Sequence, residues 1–274
     1  MILDDYALPR LALRSARQLL YPRRCPFCDR VLGSVPECAD CAPEREQLRR
    51  TPSARLDPGQ HYLGRMAGAA APFRYEGCVR QGILRAKYAA APWTAVELGL
   101  WMARLLFGAQ VEMRGAVPVP QPVEGFGLGY DCIVPVPASS SARGYNVPEQ
   151  MARPLACCLQ LPLEGRALCR VRRGRRQAGL PLEERFANVA GAFQVRDPAL
   201  VEGRRVLLVD DVITTGSTAA ACAQALLDAG ADSVFAVAMA TVEWADPPDP
   251  ALPWDENDDK AQDKNFFKKS AQNA

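Results

Sequence analysis

Residues 206–218 run Val206-Leu207-Leu208-Val209, then Asp210-Asp211, then Val212-Ile213, then Thr214-Thr215-Gly216-Ser217-Thr218, and an alanine-rich stretch follows. That order suggests a phosphate cradle. A buried strand delivers the chain to the carboxyl edge of a sheet, where open α/β folds bind ligands. Gly216 permits a tight turn whose amides converge at a helix N-terminus, and orphan N–H groups there favour an anion. The hydroxyls of Thr214, Thr215, Ser217 and Thr218 add donors. Asp210 and Asp211 would repel a phosphate, so they must face donors or a cation; vicinal ribose hydroxyls, helped by magnesium, fit them. The Gly-Lys-Ser/Thr ending of a Walker loop is absent.

A second chemistry belongs to Cys25, Cys28, Cys38 and Cys41, two CxxC pairs separated by nine residues. Each pair can clamp one side of a tetrahedral ion, and the spacing and small size favour zinc over an iron–sulfur cluster. Four thiolates leave no open position, so the ion is expected to be structural, and the segment has too few apolar residues to fold unaided. Arg23, Arg24 and Arg30 flank this module as surface charge or as contacts to nucleic-acid phosphate. Cys78, Cys132, Cys157, Cys158, Cys169 and Cys222 lie inside apolar patterns and are expected in the core; none shows an activating partner.

Basic residues form a third group. Arg172, Arg173, Arg175, Arg176, Gln177 and Arg185 make residues 172–187 a mobile, cationic loop. Residues 1–259 contain twenty-eight Arg and a single Lys, Lys87, which suggests that an ammonium is preferred there. The one histidine, His61, is expected on the solvated surface of a linker.

These groups need elements to hold them. Residues 1–22 read as an amphipathic helix, 23–46 as the cysteine module, 47–63 as a polar linker and 64–245 as the main domain. A strand is expected within Met66–Tyr75, and helices over Cys78–Tyr88 and Thr94–Phe107. Residues 108–130 read as an insertion or long loop, and Asp131–Pro137 as a buried strand. A helix over about 147–161 is followed by strands near Ala167–Val171 and Gly191–Val195. Arg205–Val209 and Ser233–Val242 are buried strands around the helix Ser217–Ala229. Strands alternating with helices imply an α/β fold with a mostly parallel central sheet flanked by helices. Residues 246–274 read as a disordered tail.

Composition narrows the function classes. The chain has 274 residues, is 49% hydrophobic and carries a net charge of +2, so it can bury a full core but has no global basic field. No apolar run is long enough to span a bilayer, and the N-terminus lacks the layout of an export signal. A cytoplasmic protein with reduced cysteines is the expectation.

In combination these segments resemble the ComF family, competence-associated proteins of the type I phosphoribosyltransferase class. The resemblance covers roughly residues 20–242. It rests on Cys25 to Cys28, Cys38 to Cys41, Ile133 to Pro137, Arg143 to Asn146, Arg172 to Gln177, Arg185 to Asn188 with Gly191 to Phe193, and residues 206–218. It implies that phosphoribosyl pyrophosphate binds with Mg2+. Residues 214–218 would take the 5′-phosphate, Asp210 and Asp211 the 2′- and 3′-hydroxyls, and the turn of Ala138, Ser139 and Ser140 the pyrophosphate. Residues 172–185 would form a closing hood. Displacement of pyrophosphate leaves negative charge for magnesium and for Arg143, Arg172, Arg173, Arg175 and Lys87 to stabilise. After Asn146 the chain departs from the family, reading Val147-Pro148-Glu149. The resemblance also implies single-stranded DNA and a DNA-uptake or helicase component as partners, so two readings stand. One is a transferase with an unidentified acceptor; the other is a non-catalytic DNA-uptake accessory that grips DNA or senses the sugar phosphate.

Overall fold

The computed structural model describes residues 15–16, 18, 21–123, 129–138, 144–171 and 191–243. The expected N-terminal helix falls almost wholly outside them, and the expected tail does entirely.

The main sheet is parallel throughout. Strand β5 (Cys132–Pro135) pairs with β8 (Arg205–Ile213), β8 with β9 (Ser233–Thr241), and β9 in turn with β1 (Gly68–Ala70) and β2 (Phe73–Arg74). Two short strands thus replace the single one expected within Met66–Tyr75. Apolar residues on both faces, such as Val206, Leu207, Leu208 and Val209, make the central strands buried on each side, as parallel sheets require. On one face, Leu207, Val209, Val237 and Met239 pack with helices α2 (Gly77–Tyr88), α3 (Pro92–Phe107) and α4 (Val147–Leu159). On the other, Val206, Leu208, Ala236 and Ala238 meet α5 (Ser217–Asp228) and a small antiparallel ladder of β6 (Leu168–Arg170) with β7 (Phe193–Val195).

Helix ends follow local chemistry. Pro92 opens α3, where its missing N–H costs nothing, and Gly108 closes it at φ +70°. Helix α2 has no side-chain cap of its own. Glu44, from the short α1 (Ala42–Gln47), accepts from Cys78 N at 2.8 Å and places a carboxylate at the positive end of α2. Helices α3 and α4 approach closely because Gly99 has no side chain; a Cβ there would lie 2.2 Å from Met151 O.

Four expectations change. Residues 108–130 contain an antiparallel hairpin, Val111–Arg114 with Val117–Pro120, whose second strand is buried at every position. The polar linker lies along the sheet edge, with Leu56 N donating to Ala69 O at 2.9 Å and Ala71 N to Ala54 O at 2.8 Å. Strand β8 does not stop at Val209 but runs through both acids to Ile213. Cys169 is only half-buried, on the two-stranded ladder outside the main sheet, whereas the other five isolated cysteines are buried.

No helix among the described residues is long and apolar enough to cross a membrane.

Candidate active site and metal centre

Alternation along β8 decides where the acids go. Leu207 and Val209 face the α2–α4 side, and Asp211 continues that series. Val206 and Leu208 face α5, and Asp210 follows them. The two carboxyls are therefore not side by side. Beyond them the alternation breaks in both central strands, since Val212 and Ala240 pack on the same face as their neighbours' predecessors Val209 and Met239, while Ile213 crosses to the other core.

On the first face, the last turn of helix α2 carries Lys87, whose Nζ lies 2.9 Å from Asp211 Oδ1. Burial alone would lower the ammonium's pKa. Asp211, with lesser help from Tyr75 and Asp210, overrides this and raises it above the ordinary lysine value. Tyr145 steadies that helix end by donating to Ala86 O at 2.6 Å. Asn146, the next residue, donates Nδ2 to Val136 O at 2.9 Å, tying this turn to the exit of β5.

On the second face, Asp210 accepts from Asp211 N at 2.8 Å. Burial, reinforced by the Asp211 charge, pushes its carboxyl up to about 7, against the backbone bond, Lys87 and Arg170, which pull down. Arg170 is a site residue that sequence reasoning missed. Its guanidinium stacks 4.6 Å over Phe193, and its Nε is buried without an acceptor. The only sequence signal was its place at the head of the Arg-rich run.

Next comes the turn. Gly216, at φ +85°, caps α5, and a Cβ there would lie 2.4 Å from Tyr62 O, so only glycine fits. Thr215 Oγ1 and Ser217 Oγ are 3.0 Å apart, and Tyr62 N donates to Thr215 O at 2.8 Å. Among the described residues no backbone carbonyl takes up the amides of Thr214, Gly216 or Thr218. Those amides and the half-buried side chains of Thr214, Thr215 and Thr218 can meet an anion at a helix N-terminus. Asp211 spends one oxygen on Lys87, and a carboxylate's remaining lone pairs can still accept hydroxyls.

His61 is corrected from surface to interior: it is 3% exposed, because its ring hydrogen-bonds Thr241 and Val242 at the end of β9. Ala138 follows β5 at the same sheet edge and is half-buried. Ser139, Ser140, Arg143, Arg172, Arg173, Arg175, Arg176, Gln177 and Arg185 lie outside the described residues.

The cysteine cluster comes together as the spacing implied. All four Sγ atoms lie within 4.8 Å of one another, with Cys25–Cys41 and Cys28–Cys38 each at 3.5 Å. Zinc–sulfur bonds of about 2.3 Å give tetrahedral edges of roughly 3.8 Å, so the donor set is compatible with a zinc module. Burial pushes the Cys25 thiol up to about 11. The module is welded to the main core. Phe27 packs edge-on against Phe73 and Trp101, Arg23 makes a two-pronged bond to Glu97 at 2.8 and 2.9 Å, and Arg45 stacks 4.2 Å over Trp101. Pro26 O lies against Gly82 of α2, where a Cβ would come within 2.3 Å.

The family model for a phosphoribosyl transferase domain matches residues 130–272. The chain is 36% identical over 141 residues to the DNA utilization protein YhgH of Salmonella typhi, covering 50% of this chain and 58% of that relative. It is 26% identical over 207 residues to competence protein F of Haemophilus influenzae, covering 71% of this chain and 80% of that one. The chain thus spans 58% of the length of the Salmonella YhgH relatives and 40% of that of the Escherichia coli ones. Among solved structures, an allosteric regulatory enzyme of purine biosynthesis aligns at a TM-score of 0.32 and 23% identity, covering 52% of this chain and 25% of that one, a likeness too distant to bear on function.

Proposed function

The chain belongs to the phosphoribosyl transferase domain family, as a ComF-type member of it, and from that premise we propose that it binds phosphoribosyl pyrophosphate with Mg2+ and transfers the phosphoribosyl group to an acceptor, releasing pyrophosphate. The observation that carries this reading is the glycine-kinked turn Thr214–Thr218, with its amides and hydroxyls at the head of α5, two residues after the Asp210–Asp211 pair.

In this reading Thr214, Thr215, Gly216, Ser217 and Thr218 hold the 5′-phosphate. Asp211, paired with Lys87, accepts a ribose hydroxyl through its remaining lone pairs, and Asp210 is the second acceptor. The turn beginning at Ala138 and continuing through Ser139, Ser140 and Arg143 takes pyrophosphate, and residues 172–185, led by Arg172, close over it. Lys87, nearest to the sugar-binding acids, opposes negative charge as the C1–O bond to pyrophosphate breaks and the acceptor bonds to C1. The carboxylates offer the hard oxygen donors that Mg2+ takes, and the bound ion supplies charge neutralisation on the leaving group. Cys25, Cys28, Cys38 and Cys41 hold a structural zinc.

A second reading follows from the relatives' names. A DNA utilization or competence role would use the same site to bind sugar phosphate, or the phosphates of single-stranded DNA, without turnover, alongside a DNA-uptake or helicase component. Calorimetry with phosphoribosyl pyrophosphate and Mg2+ tests the shared premise: wild type binds, and the Asp210→Asn/Asp211→Asn double variant does not. Unchanged binding in the double variant removes the ribose assignment. A pyrophosphate-release screen over purine, pyrimidine and amine acceptors then separates transferase from binder.

A further inference from the structure

We propose that His61 is a positioning residue for the phosphate loop, acting through Thr241 to aim the Thr214 amide at the bound phosphate. The proposal rests on the phosphate-binding reading of residues 214–218.

His61 Nε2 lies 2.8 Å from Thr241 Oγ1 and 3.1 Å from Val242 O. Thr241 is fully buried, and its hydroxyl donates to Ile213 O at 2.7 Å. A hydroxyl has one proton, so Thr241 must accept from His61, and Nε2 is the donor. Nδ1 lies 3.3 Å from the carbonyl of Asp57. The chain is directional: imidazole N–H to hydroxyl, hydroxyl to the carbonyl of the last residue of β8.

The next residue completes the grip. Tyr62 N donates to Thr215 O at 2.8 Å, and Tyr62 O sits where any side chain on Gly216 would go. A trans peptide points its C=O and N–H in opposite directions. Anchoring Ile213 O therefore turns the Thr214 N–H away from the His61–Tyr62 wall, and anchoring Thr215 O does the same for the Gly216 N–H. Two amides of the turn are set in advance for an anion, Thr214 N–H by His61 through Thr241 and Gly216 N–H by the backbone of Tyr62. Pre-orientation removes an ordering cost that the ligand would otherwise bear.

The test uses the full chain with ribose 5-phosphate and phosphoribosyl pyrophosphate as probes, well below the melting temperature. His61→Ala and Thr241→Val are expected to weaken both about tenfold, the loss of one buried hydrogen bond in the relay. His61→Gln, whose amide N–H replaces Nε2–H, restores most of the affinity. Hydrogen exchange in the ligand-free protein provides a readout independent of any ligand: the Tyr62 amide, which donates to Thr215 O, exchanges faster in His61→Ala and Thr241→Val, while those of Cys132–Pro135 stay protected. Unchanged exchange at Tyr62, or equal weakening by His61→Gln, overturns the proposal. Should wild type bind neither probe while exchange still rises locally, the brace stands and the sugar-phosphate reading fails.

Discussion

Lys87 Nζ and Asp211 Oδ1 meet at 2.9 Å across the junction between helix α2 and strand β8, with side chains 24% and 12% exposed. The only lysine before residue 260 thus finds one of the two acids that the sequence marks out. An ammonium, unlike a guanidinium, is a compact charge that can serve an acid and a ligand from one point. Lys87→Met should weaken phosphoribosyl pyrophosphate binding roughly tenfold, the pair's partial exposure discounting the larger loss of a fully buried one. Lys87→Arg should fall between. Calorimetry decides, and an unaltered affinity in Lys87→Met would leave the pair purely structural.

The Asp210 carboxyl provides a pH signature. Its folded-state value, about 7, lies above the ordinary carboxylate value, so the folded chain holds this proton more tightly than the unfolded one. The group therefore costs no stability below about pH 4 and progressively more as pH rises to 7. Asp210→Asn should raise the melting temperature of the ligand-free protein at pH 8 and leave it unchanged at pH 4. A gain that is equal at both values would show that burial of the charge is not its source.

Gly216→Ala is expected to disturb the turn in two ways, through its φ of +85° and through contact with Tyr62 O. A cost of roughly 2 kcal/mol is expected from the backbone conformation and displacement of the Tyr62 contact. Ribose 5-phosphate affinity should fall with it. Thermal melts and titration of the same variant check both halves.

Removal of zinc should reach beyond the cysteine cluster. One equivalent per chain is expected by metal analysis, with none retained in Cys38→Ser. Because Phe27 packs on Phe73 and Trp101, a strong chelator should lower the midpoint of a single unfolding transition instead of adding a separate early one. Two resolved transitions would mean that the cluster melts alone.

The elements that repeat a period were legible in the sequence. Val206 to Val209 announced a buried strand, the apolar spacing from Val96 to Phe107 a helix, and the two CxxC pairs a four-sulfur cluster. Hidden features depended on partners distant in sequence. Nothing near His61 signals that Thr241, 180 residues away, waits for its ring. Arg170 looked like one arginine among many until β6 placed it beside Asp210. The opposite facing of Asp210 and Asp211 follows from strand period, but only once β8 is known to run through them to Ile213.

The contact between Pro26 O and Gly82 has a consequence for how this chain can change over time. A methyl group at 82 would pry the knuckle from the helix whose last turn carries Lys87. The cysteine segment therefore cannot be exchanged as a cassette with that of a relative unless the recipient helix has the matching bare spot. Swapped chimaeras should succeed or fail on that one position, well before the identity of the cysteines matters.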